Sequence, residues 1–151
     1  MTYDSTADTK QHIEAVQEFL TAIIWKLDER RAFHDRSKLE SPEKESFDEF
    51  TPRLKALTYG SDEYKSCLEA MRPTLEHHYA ANSHHPEHWR NGVDDMSLLD
   101  VVEMLVDWKA ATLRHANGNI LESLEINRAR FGLSDQLYTI LKNTVERMDW
   151  A

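Results

Sequence analysis

Apolar residues recur with a helical period along most of the chain. Ile13, Val16, Phe19, Leu20, Ile23, Ile24 and Leu27 fall three and four apart, which predicts an amphipathic helix from about residue 9 to about 30, entered through Asp8 as a cap. Residues 1–8 read as a polar, flexible tail. Ser41-Pro42-Glu43-Lys44-Glu45 places serine at a cap and proline at the first helical position, so a short helix starts there, turns Phe47 and Phe50 inward and ends before Pro52. Residues 54–59 are ambiguous, and Gly60 ends that stretch. Ser61-Asp62-Glu63-Tyr64 opens another helix through a capping box, with Tyr64, Cys67, Leu68 and Met71 on its apolar side, and Pro73 kinks it or restarts it at Thr74.

Ser97 caps the most apolar helix, Leu98 to His115, which is expected at the centre of the fold. Asn117-Gly118-Asn119 forms a loop, Ile120 to Phe131 a helix stopped by Gly132, and Ser134 caps a last helix to about Met148. No stretch alternates with the period of two that a half-buried strand needs. The expected fold class is all-α: one domain, residues 1–151, a helical bundle.

Composition changes this picture little. The 151 residues are 40% hydrophobic and 30% charged with only four glycines and four prolines, which suits helices better than a turn-rich β fold. No apolar run is long enough for a membrane span and no signal-peptide pattern opens the chain, so the expected location is cytoplasmic. A net charge of -9 argues against broad nucleic-acid binding, although a divalent cation in a cleft would still admit a small phosphorylated substrate. The single cysteine, Cys67, excludes a disulfide framework and multi-cysteine zinc motifs.

The candidate chemistry is concentrated between His77 and Trp89, where five of the eight histidines fall: His77, His78, His84, His85 and His88. Imidazole is the commonest protein ligand for borderline metals, so the cluster is first a metal-site candidate. On a helix His78, Asn82 and His85 would share one face, with His84 freed to turn at Pro86. On the apolar helix Glu103 and Asp107 stand four apart with Asp100 and Arg114 continuing their stripe, and charges on a buried face need a partner or an ion. A solvated, salt-bridged face is the plainer alternative. The tryptophans Trp25, Trp108 and Trp150 read as core or half-buried, Arg114, Arg128 and Arg130 as solvated or salt-bridged arginines unless one clamps a phosphate, and His115 as a favourable helix-end residue.

Phe33-His34-Asp35-Arg36-Ser37-Lys38 resembles the His-Asp doublet, followed three residues later by lysine, of the HD-domain metal-dependent phosphohydrolases. The order His12, His34-Asp35, His78, His84 or His85, then Asp107 follows that superfamily's ligand order. His-Asp-x-Ser-Lys and Asn-x-His-His-Pro-Glu also resemble a little-characterised family of small phage and bacterial proteins. The resemblance implies an HD-like bundle in which His34, Asp35 and Asp107 bind a first metal, Asp35 bridges, and His78 with His84 or His85 serves a second. It gives Lys38 the role of orienting water or a phosphate oxygen. His12 meets an objection: on one unbroken helix it would stand about 33 Å from His34. Only a chain reversal or a second subunit, in a homo-oligomer, would bring it in.

The leading expectation is therefore a metal-dependent phosphohydrolase acting on a small phosphorylated substrate, a nucleotide first. Asp35, Lys38 and Glu103 are its candidate catalytic residues, Asn82, Lys38 and Arg114 its substrate contacts. One or two ions of Mn, Fe, Zn, Co or Ni suit mixed histidine and carboxylate ligands better than Mg. Two rivals stay open: an all-α nucleoside-triphosphate pyrophosphohydrolase with Mg on Glu103 and Asp107, and a non-catalytic helical module stapled by a metal.

Overall fold

In the computed structural model, residues 3–57, 61–114 and 118–151 are described, and among them all regular structure is helical. The boundary at Tyr59 and Gly60, His115 and Asn117 lie outside the described residues. Packing divides the chain into two units, Met1–His34 and Asp35–Ala151.

The first unit is essentially one helix, α1 (Thr6–Phe33), 28 residues without a break. None of its residues is buried, and Trp25, expected to be at least half-buried, is 72% exposed. The helix contains no residue that could reverse it, so His12 and His34 lie at opposite ends of one rod and cannot share an ion within one chain.

Among the described residues, the second unit contains six α-helices: α2 (Glu43–Ala56), α3 (Asp62–Ala70), α4 (Arg72–Ala81), α5 (Leu98–Thr112), α6 (Ile120–Phe131) and α7 (Asp135–Arg147). Their ends follow local chemistry. Ser61, Ser97 and Ser134 each accept a hydrogen bond from the backbone N–H three residues on, and Gly132 closes α6 in the left-handed conformation at φ 64°. Pro73 falls in the first turn of α4, where its missing N–H costs nothing, so the expected interruption is a new helix beginning at Arg72.

Proline 52 does not end α2, contrary to expectation; the helix runs on to Ala56. Pro52 sits on the exposed face, where water can serve the carbonyl left without an N–H. Pro42 stands one place earlier than predicted, at the cap rather than inside the helix, after a cis Ser41-Pro42 bond. That shift makes Glu43 the first helical residue.

Buried positions fall into two sets. Met104, Leu105 and Trp108 of α5 pack with Ile120 and Leu124 of α6, Leu133 of the link that follows it, and Leu141 and Val145 of α7 to form the apolar core, with Phe131 stacked parallel on Trp108 at 6.0 Å. Trp150 packs against this core, as its pattern predicted. The other set is polar: the ionisable Glu43, His78, His84 and Asp100, with Thr112 buried separately at the end of α5. Burying ionisable groups costs several kcal/mol unless each finds partners, so this second set is where function is to be sought. Among the described residues, no helix is long and apolar enough to cross a membrane.

Candidate metal centre

Three segments of the second unit supply the polar cluster. The first is the turn from Asp35, left-handed at φ 52°, into a single 3-10 turn at Arg36–Leu39. Aspartate tolerates this conformation better than most residues. The second is the last turn of α4 with the loop that follows. Here α4 stops at Ala81 and Asn82 is extended, so His85 does not reach the site along the helical face that periodicity suggested. It arrives through a turn, ahead of the 3-10 turn Pro86–His88. Third comes the N-terminal half of α5.

The loop is held from several sides. Trp89 Nε1 donates to the Ser83 carbonyl at 2.8 Å, His88 Nδ1 donates to the Tyr79 carbonyl at 2.8 Å, and Ser83 Oγ donates to Asp100 Oδ1 at 2.7 Å. Asp100 is also the third residue of the α5 capping box, which ties the loop to the start of the central helix. His88 and Trp89 thus fix backbone rather than line the cluster, and a chain segment this well tied can hold His84 and His85 in one geometry.

The imidazoles are oriented by carboxylates. Glu43, fully buried, accepts from His77 Nδ1 at 2.8 Å, from His78 Nδ1 at 2.9 Å and from Ser37 Oγ at 2.9 Å. Burial pushes the Glu43 carboxyl up, but these hydrogen bonds outweigh it and hold the group below the usual carboxylate range. An ionised carboxylate only accepts, so the proton of His78 sits on Nδ1 and its Nε2 carries a lone pair. Asn82 stands 3.1 Å from the same Nδ1, yet its amide has better acceptors in the His78 carbonyl at 2.8 Å and Ser37 Oγ at 2.9 Å. Asn82 is therefore occupied in fixing His78. By the same logic Glu103 Oε1, 3.2 Å from His84 Nδ1, sets the proton there and turns the His84 Nε2 lone pair inward.

Both lone pairs meet one oxygen. Asp35 Oδ1 is 3.4 Å from His78 Nε2 and 3.5 Å from His84 Nε2, and His85 Nε2 is 2.9 Å from His78 Nε2. Asp35, His78, His84 and His85 each offer one ligand atom, all within 4.8 Å of one another. Electron-rich atoms facing each other in a buried place repel unless a proton, such as one that His85 Nε2 donates to His78 Nε2, or a cation lies among them. Ligand bonds of 2.0–2.1 Å place neighbouring donors about 2.9 Å apart in an octahedron and about 3.3 Å apart in a tetrahedron. These three separations run from the octahedral value to slightly above the tetrahedral one, and three imidazoles with one carboxylate form a donor set typical of Zn, Mn, Fe, Co or Ni. The residues present fit such an ion.

Other predicted residues flank the cluster or stand away from it. Asp107, one turn beyond Glu103 on α5, has a carboxylate oxygen within 4.8 Å of a ring nitrogen of His84. Lys38 Nζ lies 2.6 Å from Asp35 Oδ2 and over the Phe47 ring at 5.3 Å, so the lysine is fixed beside the cluster. Arg114 is exposed beyond the end of α5. His34 is the exposed C-cap of α1 and the last residue of the first unit. Arg128 pairs with Asp135 and Arg130 with Glu87 at the surface, as the plainer reading held. Glu43 was missed from sequence, where it looked like an ordinary first-turn acid.

Burial, and after it the neighbouring His84 and His78, lowers His85 from 6.5 to about 3, against the opposing pull of Asp107 and Asp35. His85 is therefore neutral, with a lone pair available, across the physiological range. The metal-free protein binds fewer protons when folded than unfolded wherever pH lies between these two values. Stability is thus lost as pH falls from 6.5 toward 3, by up to about 1.4 kcal/mol per pH unit from this group. Glu43, also lowered, loses its contribution in the same direction below the ordinary glutamate pKa. Urea melts of chelator-treated protein should show this acid loss, and His85→Asn should flatten it between pH 6.5 and 5.

No curated protein and no solved structure matches the chain. The model of DUF5662, a family of unknown function, matches residues 1–147, and the chain belongs to that family.

Proposed function

We propose that this protein is a metal-dependent hydrolase of a small phosphorylated substrate, a nucleotide in the first instance, built around Asp35, the aspartate of an HD-like His-Asp doublet. The observation that carries the reading is the convergence of the Nε2 lone pairs of His78 and His84 on Asp35, each imidazole held by its own carboxylate. Asp35, His78, His84 and His85 would hold the ion, with Asp107 beside His84 as a further carboxylate. A transition-metal ion bound there would bring the pKa of water toward neutrality and stabilise charge on phosphoryl oxygens.

Glu43 and Glu103 keep the imidazoles in the ligating tautomer, a positioning role rather than the catalytic one expected of Glu103. That engagement also weakens the rival in which Glu103 and Asp107 hold Mg by themselves. Lys38 places a fixed cation beside Asp35, in a chain of net charge -9, where a phosphate oxygen would be received. His34 is one peptide bond from Asp35, and His34→Ala tests whether the other half of the doublet adds a ligand.

One observation favours a second reading. Four ligands from the protein suffice to close a tetrahedral site, and closed sites are structural, whereas catalytic ones keep a position for water. The test is to purify the protein without chelator, measure bound metal, and assay phosphate release from nucleotides and sugar phosphates with Mn or Co added. Activity abolished by chelator and restored by metal supports the hydrolase. A metal-loaded protein that turns over no substrate and unfolds on chelation identifies the staple.

A further inference from the structure

A helix in water is stabilised mainly by packing its apolar face. Helix α1 has no buried residue. Phe19 is 72% exposed, Ile24 62%, Leu20 53%, Ile13 48%, Ile23 43% and Val16 40%. With successive residues turned by 100°, Ile13, Val16, Ile23, Ile24 and Leu27 all fall within about 60° of Leu20, forming one stripe roughly 20 Å long edged by Phe19. The spacing 13, 16, 20, 23, 27 alternates threes and fours, as a helix-pairing seam requires. Its exposed apolar area is on the order of 600 Å², at the upper end for a monomer patch and close to the ~800 Å² per partner of a stable interface.

We propose that this stripe is a homodimer interface, in which α1 packs antiparallel against α1 of a second copy with Leu20 at the centre. The stripe is self-complementary. Ile13 and Leu27 lie seven residues either side of Leu20, and Val16 and Ile24 lie four either side, so a two-fold axis at Leu20 sets apolar against apolar along its whole length.

Charge selects the orientation. Arg31 lies on the line of the stripe, about 20° from Leu20 by the same helical geometry. A parallel pair would set it against its own copy, whereas the antiparallel pair sets it against Thr9. On the two flanks, antiparallel pairing brings Asp8 toward Arg30 of the partner subunit and Lys10 toward Asp28 of the partner subunit. Opposed helix dipoles favour the same arrangement. This interface stands apart from the metal reading and does not depend on it.

Sedimentation velocity of the full chain from about 1 to about 100 µM tests the proposal, with circular dichroism as a control for folding. A dimer is expected, and Leu20→Glu should weaken it at least 100-fold, roughly 2.7 kcal/mol. Trp25→Ala, on the opposite side of α1, should leave it unchanged. In a Cys67→Ser background, Leu20→Cys should oxidise to a disulfide-linked dimer, and Thr9→Cys mixed with Arg31→Cys should give the heterodimer. A wild-type monomer at 100 µM overturns the proposal. So does a dimer indifferent to Leu20→Glu without Leu20→Cys cross-linking, or a Leu20→Glu chain that loses helicity equally at every concentration, which would show the stripe covered within one chain.

Discussion

His84→Ala is expected to strip the protein of its bound metal and, with it, of any metal-dependent hydrolysis. His84 is buried at the meeting point of the cluster: its Nε2 lies 3.5 Å from Asp35 Oδ1, its Nδ1 is held by Glu103, and the Asp107 carboxylate is close by. His78 and His85 already occupy their own positions and cannot take its place. Metal affinity should fall by more than the 10- to 100-fold typical of losing a residue that merely supports a ligand. The expected signature is thermodynamic as well as catalytic. Metal at about a thousand times its dissociation constant stabilises a protein by about 4 kcal/mol, so the wild type should melt several degrees higher with metal and His84→Ala should not respond. A variant that keeps full metal and full metal-dependent stabilisation would remove His84 from the ligand set.

Glu43→Ala should be the most damaging change outside the ligands. It removes one fully buried carboxylate that takes hydrogen bonds from His77, His78 and Ser37. The donors of His78 and Ser37 would be left in a place water reaches poorly, at a cost of about 1–3 kcal/mol for each unsatisfied group. The His78 ring would also lose the partner that fixes its tautomer. Metal affinity is expected to fall about 10- to 100-fold while the ligands themselves remain. Glu43→Gln separates the two effects. Its volume is conserved, but its amide offers one oxygen in place of two, so it should keep more stability than Glu43→Ala while still weakening metal binding. Equal metal affinity in wild type, Glu43→Gln and Glu43→Ala would show that Glu43 serves packing alone.

Why Glu43 escaped sequence reading is a matter of distance along the chain. A glutamate in the first turn of a helix is ordinary, and its histidine partners stand 34 and 35 residues away, beyond any periodic pattern. What local chemistry decides was legible. Ser61, Ser97, Ser134 and Gly132 set helix ends through bonds within a few residues, and these ends lie where the sequence placed them. The apolar character of α5 likewise placed that helix at the centre, where Met104, Leu105 and Trp108 are buried.

Patterns extended past a break misled. His78, Asn82 and His85 share a face only if α4 continues, but it stops at Ala81, so Asn82 serves His78 while His85 enters by a turn. Pro52 stops a helix only where its lost hydrogen bond cannot be made up, and an exposed face makes it up. The stripe on α1 was correctly periodic, yet periodicity identifies an apolar face without identifying what covers it. At the candidate site, the density of histidine and the Asp35 and Asp107 carboxylates pointed to residues that the fold brings close together. The supporting roles of Glu43, Glu103 and Ser83 depend on contacts that only the folded chain brings together.

The central claim is that Asp35, His78, His84 and His85 share one ion. A crystal of protein purified without chelator, with diffraction recorded on both sides of the absorption edges of Mn, Fe, Co, Ni and Zn, tests it directly. One anomalous peak is expected about 2.0–2.2 Å from His78 Nε2, His84 Nε2, an Asp35 oxygen and a His85 ring nitrogen. A well-ordered cluster with no anomalous peak after soaking in each metal, or a peak bound elsewhere, would contradict it.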